Sequence, residues 1–222
     1  AQVTDTASDS VDDDIGNYAT MNILEDVLNP TTYSNGNLTM SGRTSWGFSI
    51  STLAFPASGN FYCEFTVDSI GTVSHGLMFG IVKVGDPSLD TSGSERQFTS
   101  DAGGYGYKPI GSGGTEPVSI NNNSETDPYG ISVSATDVIG VHLNSGTLTF
   151  YVDNATQGTA YSGITGDYFF ACGYKSSSGT YTVTANFGAS GFAYTPPSSA
   201  KALHTANLPA PAITDPSAHF KP

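Results

Sequence analysis

The 222-residue chain carries 7 Lys and Arg against 20 Asp and Glu, a formal net charge of −13. That balance excludes a phosphate-binding surface, which needs clustered cations to release counterions, and gives no attraction to an anionic bilayer. No apolar run reaches the roughly 18 residues of a membrane-spanning helix, while 12 Tyr, 12 Phe and 1 Trp supply the core-forming side chains that disordered chains lack. Few charges (12%) among many turn formers and aromatic residues point to an extracellular-type β fold.

Residues 1–17 form an acidic lead, with Asp5, Asp9, Asp12, Asp13 and Asp14 and no basic residue before Arg43. It reads as a solvated flexible or assembly arm. A calcium-binding carboxylate cluster is the sharper alternative, but the D-x-[DN]-x-[DN]-G spacing is absent. The opening Ala1-Gln2-Val3-Thr4-Asp5 has neither the basic flank nor the apolar centre of a signal peptide.

Residues 18–195 read as a β-sandwich, with short alternating runs separated by turn signals roughly every 8 to 12 residues. Asn35-Gly36 is a hairpin signal. Phe61, Cys63, Phe65 and Val67 alternate onto one strand face. The near-continuous Gly76-Leu77-Met78-Phe79-Gly80-Ile81-Val82 reads as a strand covered on both sides. Val138 to Leu143 turns at Asn144-Ser145-Gly146 and returns as Thr147 to Val152, the clearest hairpin in the chain. Tyr168 to Cys172 and Thr180 to Phe187 add two strands. Two polar stretches, 85–103 and 111–130, read as long loops. Residues 196–222 are Pro/Ala-rich and read as a semi-rigid linker to further domains, with a helical turn near Ser198 to His204 as the best local helix candidate. Cys63 and Cys172 fit no CxxC spacing; they are two buried thiols or a disulfide.

The segment Thr136 to Asn154, preceded by Gly59-Asn60-Phe61-Tyr62-Cys63-Glu64-Phe65, Gly76 to Ile81 and Gly104-Tyr105-Gly106-Tyr107, resembles the SPRY domain family in motif and order over about residues 30–195. The resemblance implies an antiparallel two-sheet β-sandwich of the concanavalin A-like jelly-roll kind with extended terminal arms. Cys63 stands where the family often has Trp, and Ala155 follows Asn154 where a turn glycine is usual. A narrower likeness links Gly16 to Asn22, Thr182 to Gly188, Phe192 to Pro197 and Thr205 to Pro211 to SPRY-type segments in virion proteins of tailed bacteriophages, particularly marine ones. It implies a virion-surface module, extracellular after host lysis, attached to neighbouring virion proteins or assembled as a trimer.

Catalytic sets are absent from the sequence. None of His75, His142, His204 and His219 has a second His four residues on, and no G-x-S-x-G elbow or phosphate-binding loop occurs. A glycan hydrolase needs paired carboxylates. Glu125-Thr126-Asp127 begins an E-x-D-x-x-E pattern, but Gly130 ends it and Pro128 interrupts the strand; Glu64 has no acidic neighbour two positions away. We therefore expect no enzyme, cofactor or metal. The remaining expectation is binding of a host-surface glycan or protein through loops at a sandwich end. Trp46, Tyr105, Tyr107 and Tyr129 are the aromatic candidates, with Arg96 as the hydrogen-bonding cation; each aromatic has an alternative reading as core. A purely structural decoration or spacer domain is the alternative function, and a glycan-active enzyme a further one.

Overall fold

Alternating side chains pair into sheets only where turns reverse the chain, and the turns here are made largely by Asn and Asp. The computed structural model describes residues 16–25, 31–42, 47–70, 76–89, 97–110, 117–174 and 181–209. The strands among them are β1 (Thr32–Ser34), β2 (Thr39–Ser41), β3 (Gly47–Ile50), β4 (Phe55–Pro56), β5 (Asn60–Ser69), β6 (Leu77–Lys83) and β7 (Gly104–Lys108). They continue with β8 (Val118–Asn121), β9 (Ser124–Thr126), β10 (Val138–Asn144), β11 (Thr147–Val152), β12 (Ala155–Tyr161), β13 (Asp167–Tyr174) and β14 (Thr182–Asn186). One sheet runs β1-β2-β14-β5-β10-β11-β12 and the other β3-β13-β6-β7-β8-β9, with β4 also on β13. The fold is an all-β sandwich of two antiparallel sheets.

Three two-residue turns place both central residues at positive φ, the geometry that matches the twist of a hairpin. Ser145 (48°) and Gly146 (76°) close the β10–β11 hairpin. Asp153 (47°) and Asn154 (68°) close β11–β12 without glycine, because Asx side chains tolerate the left-handed region. The missing turn glycine is thus harmless. Asn122 (50°) and Asn123 (56°) close β8–β9, so the stretch expected as one long loop over 111–130 contains a hairpin.

The central core holds Phe61, Cys63, Phe65 and Val67 of β5 against Leu77, Phe79 and Ile81 of β6 and Phe170 and Cys172 of β13. Met78 and Val82 point to the other side of their sheet, where Ile50, Ile120, Ala171 and Phe98 form a second cluster. The expected two-sided burial of this strand is observed. Its outer cover comes from the 85–103 stretch, expected as a polar loop: Phe98 and Thr99 are fully buried, and the Thr99 hydroxyl lies 3.2 Å from the Met78 sulfur. Cys63 and Cys172 are both buried and form no disulfide; burial, then Glu64 and Cys172, push the Cys63 thiol well up.

The segment after β14 departs furthest from expectation. It crosses the outer face of the first sheet, where Glu64, 1% exposed, accepts bonds from the N–H groups of Ala193 (2.7 Å) and Tyr194 (3.1 Å), the Tyr62 hydroxyl (3.2 Å) and the Asn186 amide (3.3 Å). Lys201 then bridges to Phe61: its N–H reaches Asn60 O (2.9 Å) and its carbonyl accepts Tyr62 N–H (3.0 Å). Leu203 is fully buried, and its carbonyl accepts Ala19 N–H at 2.9 Å. The part of the expected linker up to Pro209 is therefore laid against the sandwich. Its helical turn falls at Thr205–Asn207 instead of near Ser198 to His204.

Burial raises the hydroxyl pKa of Tyr107 and Tyr168 to about 12. The unfolded chain releases such protons near pH 10 while the native one retains them. Stability from these groups is fully present below about pH 10 and falls as pH rises towards 12. An alkaline titration followed by tyrosinate absorbance and far-UV circular dichroism checks this. Ionisation of every tyrosine near pH 10 with the native signal intact overturns it.

Candidate binding site

The strand register gathers the start of β5, the β10–β11 turn, the end of β12, the end of β6 and the start of β13 at one end of the sandwich. Two adjoining hollows open there. One, of about 390 Å³, is lined by Lys83, Asp86, Gly103, Tyr105, Thr165 and Tyr168, among others. The other, of about 570 Å³, lies between Ser58, Ser145, Gly146, Thr165 and Asp167. Thr165, an exposed residue, belongs to both.

Asp86 builds the first wall. It is buried, one carboxylate oxygen accepting Ser88 N–H (2.9 Å) and the other Gly103 N–H (3.1 Å), which ties the turn after β6 to the approach of β7. Gly103 has to lack a side chain, since a Cβ there would stand 2.2 Å from that second oxygen. Tyr105 lies between Tyr161 (ring centroids 5.0 Å apart) and Tyr168 (6.2 Å). The Tyr168 hydroxyl, held at about 12 by burial, then by Tyr105 and Asp86, stays protonated and donates to Thr165 O at 3.4 Å. Among the described residues the hollow thus combines the aromatic surface of the half-buried Tyr105, hydroxyls, backbone groups and one cation, Lys83. That is the equipment for stacking and hydrogen-bonding a small polar ligand.

Of the sequence-predicted residues, Tyr105 lines this hollow. Tyr107 is a correction: it is fully buried, exchanges hydrogen bonds with the backbone of Ile131 and packs 5.4 Å from Phe150. Alternation along β7 puts both tyrosines on the inner face, and Tyr107 lies deeper between the sheets while Tyr105 reaches the end. Tyr129 is likewise packed, 5.6 Å from Tyr107, with its hydroxyl donated to Gly158 O at 2.8 Å. Trp46 and Arg96 lie outside the described residues. Sequence reasoning did not single out Lys83, Asp86, Thr165, Asp167 and Tyr168 as a group. The signal available was Gly85-Asp86-Pro87, a turn directly after a confident strand.

Two of the acids weighed for catalysis, Glu64 and Glu125, are engaged elsewhere. Glu64 is enclosed by its four donors, and Glu125 pairs with Lys108 at 2.5 Å. His142 is a packed histidine, its Nε2 2.7 Å from Asn60 Oδ1 and its ring 6.3 Å from Tyr151; burial lowers its pKa.

No protein-family model matches the chain, and no curated protein matches it in sequence. Solved structures match it in shape. The SPRY domain of human HERC1 is 12% identical with a TM-score of 0.59, over 75% of this chain and 96% of that one. The TRIM65 PSpry domain is 15% identical, with a TM-score of 0.56 over 75% and 89%. A human SPRY domain is 15% identical, with a TM-score of 0.54 over 70% and 94%. Matches of this identity speak for architecture alone, and they agree with the strand motifs of the sequence: the chain has the two-sheet fold of SPRY domains.

Proposed function

We propose that this chain is a non-enzymatic binding module that holds a surface glycan in the paired hollows at one end of its sandwich. The carrying observation is the convergence of Tyr105, Tyr168, Lys83 and the backbone around Asp86 at an open, loop-built end. The engagement of Glu64 and Glu125 in structural contacts supports a non-catalytic reading. The finer placement, an exposed module of a tailed-phage virion that meets a host-surface glycan outside the cell, rests on the sequence likeness of its opening and closing segments. Weak single sites of this kind gain strength by multivalency, which suits a trimeric or repeated position.

The test presents the whole chain on beads to bacterial cells and to their extracted surface polysaccharides. The expected result is saturable binding, competed by one polysaccharide and lost in Thr165→Trp, which places a large ring over both hollows while changing an exposed side chain. The burial of Tyr107 and the packing of the partly buried Tyr129 against it favour a second reading, a structural spacer with no ligand beyond its neighbours. A folded multimer that binds nothing across the panel moves the assignment to that reading.

A further inference from the structure

We infer that the ligand is a chain of at least two neutral sugar units lying across Thr165, one unit in each hollow; this rests on the glycan-binding reading above. The two hollows differ in chemistry. The half-buried Tyr105, backed by the buried Tyr168, stands in the first, so it takes the face of one ring. Among its lining residues the second has no aromatic and offers the Ser58 and Ser145 hydroxyls and the Asp167 carboxylate, so it hydrogen-bonds a second unit. Their volumes, about 390 and 570 Å³, each lie within the roughly 300–1,000 Å³ of small-molecule sites, and the shared Thr165 makes the path between them continuous.

Charge selects against acidic sugars. Among the described residues Lys83 is the one cation lining the two hollows, against Asp86 and Asp167. Both oxygens of Asp86 already accept backbone bonds, while Asp167 is exposed and ready to accept from a sugar hydroxyl. A uronate or sulfated chain would bring like charge to Asp167 on a molecule of net charge −13.

The test measures affinity of the full chain, by calorimetry or competition on beads, for oligomers of one to four units. The probes are neutral glucans, galactans, mannans and fructans, with a polyuronate series beside them. In the native chain the affinity ratio of tetramer to monomer is expected to be about tenfold or more, the weight of one hydrogen bond to a charged group. Ser58→Trp, which fills the second hollow, and Asp167→Ala, which removes its acceptor without adding bulk, each bring that ratio towards one. A native ratio near one, a ratio that both variants leave in place, or tighter binding of the polyuronates overturns the two-unit neutral ligand. Tight single-unit binding in the first case leaves the glycan-binding reading standing; no saccharide binding at all removes both.

Discussion

Truncation after Thr195 is expected to cost the chain most or all of its stability. The removed segment carries Leu203, fully buried in the central core, and loss of such a Leu side chain alone costs about 2–5 kcal/mol. Four backbone hydrogen bonds go with it: Lys201 to Asn60, Tyr62 to Lys201, Ala19 to Leu203 and Thr205 to Asn17. At about 1 kcal/mol each, the total reaches roughly 6–9 kcal/mol, against about 5–15 kcal/mol for a whole domain. Denaturant unfolding of the truncated and intact chains checks this. Leu203→Ala in the full chain provides the graded case, losing about 2–5 kcal/mol of unfolding free energy, read as a lower midpoint at an unchanged slope. A truncated chain with the midpoint of the intact one would mean that residues 196–209 are the linker their composition suggests.

Gly104→Ala carries the second large effect and joins stability to the cleft. A Cβ at this position would lie 1.6 Å from the Phe98 carbonyl oxygen and 2.5 Å from its carbon. Both neighbours are backbone, so no side-chain rotation relieves the contact, and the segment around Phe98 has to leave the sheet. Uncovering Phe98 costs about 3–5 kcal/mol, the range for deleting a buried Phe. The same displacement pulls on Gly103, whose N–H anchors Asp86, so the proposed glycan binding is expected to fall with stability. Thermal melting with limited proteolysis between 97 and 103 measures the first part, and the bead assay the second. A variant that melts with the native chain and resists proteolysis there would show that the segment tolerates the methyl.

The sandwich was legible because its strands announce themselves locally. Phe61 to Val67 alternate, Leu77 to Val82 are apolar on both faces, and Val138 to Val152 fold back over a Ser-Gly turn; each pattern depends on neighbours in sequence. The same locality explains the misreadings. Asn122-Asn123 looks like loop because its turn lacks glycine, and Phe98 stands in a polar stretch with no apolar neighbour beside it. Leu203 is one apolar residue after Pro196-Pro197, and no periodicity marks where it lands. Glu64 resembles any strand carboxylate until the N–H groups of Ala193 and Tyr194, 129 and 130 residues away, arrive above it.

The binding site divides in the same way. Tyr105 and Tyr107 are indistinguishable by type and sit two residues apart, yet the first reaches the open end while the second faces Phe150 in the core. Alternation and turn chemistry, which act over a few residues, sufficed for the strand content and the two-sheet class. Which tyrosine meets solvent, how Lys83, Asp86, Thr165 and Tyr168 come to share one hollow, and where the chain after β14 packs all depend on strand register across the sheets. Register is set by the simultaneous burial of residues far apart in the chain, so only the tertiary structure contains it.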